Sequence, residues 1–202
     1  MVMPLGIDQE GGDRGQALTL EAVTAAVLIL VAVAFALQMT AVTPLSASTS
    51  SQHLENQLQK SGQGMLASTA ADGSLEAAVL DWNGTEQSFD GADETGMYRS
   101  GAPDNAFGQA LEETYGDRNI AYNVVVTYHD AGGGMESQKM VDQGDPSDHA
   151  VSASRTISLS PTDTMADGTT LAEGDFYAPP ADVDDDGPVY NLVRVEVIAW
   201  RI

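Results

Sequence analysis

Residues 22–54 carry no Asp, Glu, Lys or Arg, in a chain whose formal charge elsewhere sums to −22. Within that window Ala22 to Val42 is almost wholly apolar, with Thr24, Gln38 and Thr40 as its only polar members. At about 1.5 Å per residue, a helix of this length is roughly 31 Å long and matches the hydrocarbon thickness of a bilayer. Three uses of such a run compete: a membrane span, a buried core helix and a secretory signal. Ala32-Val33-Ala34 and Ala34-Phe35-Ala36 fit a small-x-small cleavage pattern. The preceding segment, however, holds Asp8, Glu10 and Asp13 against Arg14 alone, and the apolar run continues past both sites. A membrane helix is therefore expected.

The residues leading into the run are informative. Arg14-Gly15-Gln16-Ala17-Leu18-Thr19-Leu20-Glu21 resembles the class III, prepilin-type signal peptide of archaeal type IV pilin-like proteins. On that resemblance Arg14, Gly15 and Gln16 are the processing site, and Glu21 is the acidic residue near the start of the mature helix. A cut after Gly15 makes Glu21 the sixth mature residue. A cut after Gln16 makes it the fifth, the usual position, but places Gln before the bond. The run Phe35 to Gln57 also resembles a recurring segment of haloarchaeal pilin-like proteins. The resemblance implies a prepilin peptidase, other pilin-like subunits met through the N-terminal helix, and the lipid bilayer as partners. It places the head outside the cell.

Composition bounds the rest. The 30 Asp+Glu against 8 Lys+Arg exclude the usual electrostatic footprint for nucleic acid. With 43% apolar residues the chain has material for a core, and without Cys it has neither disulfides nor thiolate ligands. Acid dispersed along the chain, with only Lys60 and Lys139 as lysines, resembles the surface of proteins from extreme halophiles. At molar salt the Debye length is roughly 3 Å, so self-repulsion is screened.

Beyond the apolar run, Pro44 predicts a kink or an end to the helix. A continuation is expected from near Thr49, with Leu54, Leu58, Met65 and Leu66 at helical spacing, weakened at Gly62 and Gly64 and closed by Asp72-Gly73. Alternation predicts strands over 120–129, 151–159 and 189–200, and a short extra strand over 77–82. Residues 103–115 predict a helix with Asp104 as N-cap and Phe107, Leu111 and Tyr115 on one stripe. Segments 83–101, 130–148 and 161–188 are expected as long acidic linkers. The expected fold class is α+β: a long membrane-spanning N-terminal helix packed onto a small antiparallel sheet head, pilin-like in plan. The expected division is a leader over 1–15, an assembly helix over 16–43, its continuation over 44–72 and a head over 73–202.

The chemistry is sparse. His53, His129 and His149 fall in no close ligand pair, and there is no nucleophile elbow or Walker A sequence. Gly132-Gly133-Gly134 lacks the Lys and Ser/Thr of a phosphate loop. No enzymatic activity and no required cofactor are expected. Asp182, Asp184 and Asp186, before Gly187, match the opening of a calcium loop. Val193 stands where a closing Glu belongs, so a looser Ca2+ site competes with a solvated acidic loop. Asn83-Gly84-Thr85 is the only N-glycosylation sequon. The sequence points to a pilin-like structural subunit of a cell-surface assembly. The alternative is a membrane-anchored monomeric extracytoplasmic binding protein.

Overall fold

The computed structural model describes residues 10–116, 119–181 and 188–202; in the first helix it describes the side chains of residues 16, 18–37 and 52–71. The fold is α+β, with an N-terminal apolar helix and an antiparallel sheet domain, the layout of a pilin-like protein. The chain divides into two compact units, 1–52 and 53–202.

Helix α1 runs Glu10–Ala71 and supplies nearly all of the first unit. The backbone is helical at Pro44, so of the expected kink or end, the end does not occur there. Proline removes one amide donor from the helix interior; it does not forbid helical φ. Helix α1 does end at Asp72-Gly73, where Gly73 takes φ 83°, a left-handed conformation that glycine adopts without a Cβ clash.

In the second unit, residues 53–71 of α1 bury Gly62, Met65, Leu66 and Thr69. Leu58 is half-buried and Leu54 is exposed. Gly62 allows a close approach: a Cβ there would collide with the Tyr115 hydroxyl and sit 3.1 Å from Ala153 Cβ. Gln59 Nε2 donates to Ser152 O at 3.1 Å.

Residues 77–82, expected as a strand, mostly belong to helix α2, Ser74–Leu80. Leu75, Ala78 and Val79 are spaced three and one apart and are buried together, which is helical periodicity. Only the end of that stretch is extended. Strands β1, Trp82–Asn83, and β2, Ser88–Phe89, form a small hairpin.

Helix α3, Ala106–Tyr115, buries the expected Phe107, Leu111 and Tyr115. Its N-cap is Asn105 rather than Asp104: Asn105 Oδ1 accepts from Gly108 N at 3.0 Å. Asn105 Nδ2 donates to Asp81 Oδ2, also at 3.0 Å, so one amide serves two partners.

The main sheet comprises β3, Ile120–His129; β4, Met135–Asp142; β5, Val151–Leu159; and β6, Asn191–Arg201, in the order β4-β3-β6-β5, all antiparallel. Val124 faces Val197, and Val197 faces Ala153, so one face collects Tyr122, Val124, Val126, Val193, Val195 and Val197. Strand β4 lies inside the segment expected as a linker. The register slips between Val124 and Val125, leaving Met140 as an extra residue; Met140 and Val141 are therefore buried consecutively and period-two alternation is lost.

The expected linkers are packed as well. Segment 161–174 folds back on itself through Thr164 and Thr170 and buries Met165 and Leu171. Trp82, Phe89, Tyr98, Tyr128, Phe176, Tyr177 and Tyr190 form a linked aromatic cluster, with ring centroids 4.2–6.5 Å apart. Burial of these rings is what orders segments whose composition is acidic and glycine-rich.

Candidate functional site

The apolar part of α1 has the sharpest chemistry. From Leu18 to Leu37 the mean hydropathy is 2.5 and none of the 20 residues is buried. Phe35 is 62% exposed and Leu28 69%, an apolar exposure compatible with membrane anchoring or with a signal sequence. Twenty residues give about 30 Å, one hydrocarbon thickness. The described apolar stretch begins four residues before Ala22. The side chains of Val42 and Arg14 lie outside the described residues, as does the packing around Gly15.

Glu21 is the only Asp, Glu, Lys or Arg in this stretch, and it is exposed one turn from its start. The neighbouring hydroxyls turn inward on the helix. Thr24 Oγ1 donates to Leu20 O at 2.8 Å and to Glu21 O at 2.9 Å, and Thr19 Oγ1 donates to Gln16 O at 2.9 Å. Such back-bonding hides a hydroxyl from an apolar surround. Among the described residues no side chain pairs with the exposed Glu21 carboxylate. Gln16 is also exposed, a turn and a half earlier.

The second unit offers less. The three His residues are all exposed. His149 Nδ1 lies 3.1 Å from Glu55 Oε1, while the His129 carbonyl accepts from Asn191 Nδ2. Among the described residues no group of three or more His, Asp or Glu is placed to hold a metal ion. Asp182, Asp184 and Asp186 lie outside the described residues. The triple-glycine turn is closed by its own carboxylate: Asp130 Oδ1 accepts from Gly132 N at 2.9 Å and from Gly134 N at 2.6 Å.

An open groove of 620 Å³ runs between α1 and α3, lined by Lys60, Ser68, Asp72, Ala106, Glu113 and Thr114 among others. Its polar groups are partly consumed locally. Thr114 Oγ1 donates to Ala110 O at 2.7 Å, and Asp72 accepts from Ser74. Those bonds from Ser74 hold the Asp72 carboxyl below the usual range. Buried tyrosines are poor acids here, since burial pushes Tyr115 up to about 12 and also raises Tyr122, whose hydroxyl donates to Glu112 Oε1 at 2.8 Å.

A repeated local device was not anticipated from the sequence, although its signal is there. Asp72-Gly73-Ser74, Asp93-Glu94-Thr95 and Asp167-Gly168-Thr169 each form a turn in which the carboxylate accepts from the backbone N–H and the hydroxyl two residues on. Asn83-Gly84-Thr85 has the same spacing. Asn83 Oδ1 accepts from Thr85 N at 3.0 Å and from Glu86 N at 3.1 Å.

Residues 14–199 match the model of a family of unknown function, DUF7288. The chain belongs to this family. The match takes in Arg14, the apolar helix and nearly all of the sheet domain of this DUF7288 protein. No curated protein and no solved structure gives a significant match.

Proposed function

We propose that this DUF7288 protein is a pilin-like structural subunit, cut by a prepilin peptidase at Gly15 or Gln16 and assembled through α1 into a type IV pilus-like structure on the cell surface. The observation that carries the proposal is the single carboxylate, Glu21, in the otherwise uncharged stretch Leu18–Leu37, none of which is buried. A plain anchor gains nothing from it, because an unpaired carboxylate within the bilayer edge costs a few kcal/mol. Cleavage before Gln16 or Ala17 creates an α-amine four or five residues from Glu21. That amine, in the same chain or an adjacent subunit, neutralises the carboxylate. The apolar surface of the helix is covered by lipid before assembly and by other copies of the helix afterwards. The proposal assigns the sheet domain no reaction and no cofactor. High salt is the surrounding that its charge fits.

The test is the mass of the N-terminal peptide from native membranes and from filaments sheared off cells. The expected start is Gln16 or Ala17, in both fractions. A chain starting at Met1 overturns the processing. A start just past the small-x-small sites, at Leu37 or Phe35, identifies a secreted protein. A processed chain that never enters the sheared fraction identifies an anchored monomeric binding protein instead.

A further inference from the structure

The sequon Asn83-Gly84-Thr85 sits at the first turn of the β1–β2 hairpin, where Thr85, Glu86 and Gln87 are exposed and Asn83 is half-buried. The turn is well fixed. Gln87 N donates to Asn83 O at 2.8 Å, and Gln87 Nε2 bridges Gly84 O at 2.7 Å and Asp175 Oδ2 at 3.0 Å. A Cβ at residue 84 would lie 2.7 Å from Asp175 O, so glycine is required there by packing.

What distinguishes this turn is what it leaves free. In the three Asp turns of the same spacing, the Ser or Thr hydroxyl is bound to the carboxylate. In the Asn83 turn, among the described residues, only backbone N–H groups reach Oδ1, and the Thr85 hydroxyl makes no hydrogen bond. Asn83 Nδ2 donates to nothing either. Asn83 is only half-buried, and its neighbour Thr85 is exposed. The two free groups, an asparagine amide and a hydroxyl two residues on, are the pair that sequon recognition requires. Two N–H donors on Oδ1 also polarise the carboxamide and ease loss of an Nδ2 proton.

We propose that Asn83 is an N-glycosylation site of the sheet domain. The glycosyl donor is an oligosaccharide carried on a lipid phosphate. Nδ2 forms a bond to the anomeric carbon as the bond from that carbon to the phosphate oxygen breaks. The lipid phosphate leaves with the bonding electrons, and the displaced Nδ2 proton passes to a base of the transferase. The proposal rests on the reading that the domain lies outside the cell.

The experiment uses the full chain from its native cells. Cleavage after Lys60 and Arg99 yields a peptide over 61–99 that contains the sequon and no other Lys or Arg. The expected result is a mass increment of whole sugar residues on Asn83, lost in Thr85→Ala and retained in Thr85→Ser. Both substitutions fall on an exposed side chain without hydrogen bonds, so both variants fold. Protease added to intact cells is the parallel measurement. A bare Asn83 in a chain whose domain is shaved off overturns glycosylation and leaves the topology standing. A domain that survives shaving overturns the topology and, with it, glycosylation. An increment that persists in Thr85→Ala places the sugar elsewhere and overturns the assignment to Asn83.

Discussion

Asn105 shows how much one polar side chain settles in this fold. Its oxygen caps α3 through Gly108 N, and its nitrogen holds the Asp81 carboxylate. Asp81 is half-buried, and burial raises its carboxyl above the ordinary value; the Asn105 bond opposes that rise and nearby Asp90 adds to it. Asn105→Ala removes the cap, at about 1 kcal/mol, and strips Asp81 of its donor. Asp104→Ala should change stability by less than about 0.5 kcal/mol, since Asp104 is exposed and caps nothing. Asn105→Asp keeps an acceptor for the cap but sets two carboxylates together. A carboxyl raised in the folded state binds its proton more tightly there than in the unfolded chain. Its penalty is therefore absent in acid and grows as pH rises through the carboxylate range. Denaturant unfolding of the full chain in detergent at two pH values checks this. Asn105→Asp should lose most at neutral pH and recover in acid, whereas the loss in Asn105→Ala should depend less on pH. From the sequence Asp104 is the expected cap, and the adjacent Asn105 has nearly equal capping propensity. The Gly108 N bond places the cap at Asn105, and Asp81, 24 residues away, adds a contact that no local pattern shows.

At the scale of elements, legibility followed burial pattern. Strands β3, β5 and β6 are legible because apolar residues recur at every second position of the sequence, as with Val193, Val195 and Val197. Strand β4 was not, because its bulge puts Met140 and Val141 in the core side by side and the rest of this edge strand is largely exposed. The aromatic cluster escaped notice for a different reason: Trp82, Phe89, Tyr98 and Tyr177 are scattered through acidic, turn-rich segments with no period to detect. In the apolar helix, by contrast, exposure and composition carry the same message, and Glu21 stands out by its charge. The two helical glycines near the end of α1 test the packing directly. Both weaken a helix by roughly 0.5–1 kcal/mol relative to alanine. At Gly64 nothing lies within 4 Å of an added Cβ, so Gly64→Ala should stabilise by about that amount. At Gly62 the added methyl meets the buried Tyr115 ring and Ala153, and overpacking of this kind costs about 1–3 kcal/mol. Gly62→Ala should therefore destabilise despite its better propensity. Opposite shifts in the denaturation midpoint of the two variants are the expected outcome. A gain in both would mean that the helix stands off from α3 and β5.

For the whole molecule the governing quantity is the charge of −22, all of it outside the apolar run. Ion pairing offsets little of it. Even if every Lys and Arg were paired, 22 of the 30 acids would lack a cation, and the pairs among the described residues are mostly exposed, such as Arg99–Asp93 at 3.8 Å and Arg194–Glu196 at 3.9 Å. Exposed pairs contribute about 0–1 kcal/mol, so salt has little attraction to screen and much repulsion. Several acids are also held in their own turns, as Asp93 and Asp167 are by Thr95 and Thr169, whose hydrogen bonds keep both carboxyls below the ordinary value. They remain charged as the solution is acidified toward pH 5, and so remain part of the repulsion. The thermal midpoint at neutral pH should thus climb steadily between about 0.1 and 1 M NaCl, where the Debye length contracts from about 10 Å to about 3 Å. Salt also strengthens apolar burial, which would raise the midpoint by a route unrelated to charge. The two separate by pH. Near pH 4.1, the isoelectric point, the net charge vanishes and the electrostatic gain should flatten. Equal slopes at both pH values would assign the stabilisation to the aromatic and valine core, and the acidic surface would then need another explanation. A slope confined to neutral pH makes the sheet domain a structure held together in brine by the ions around it.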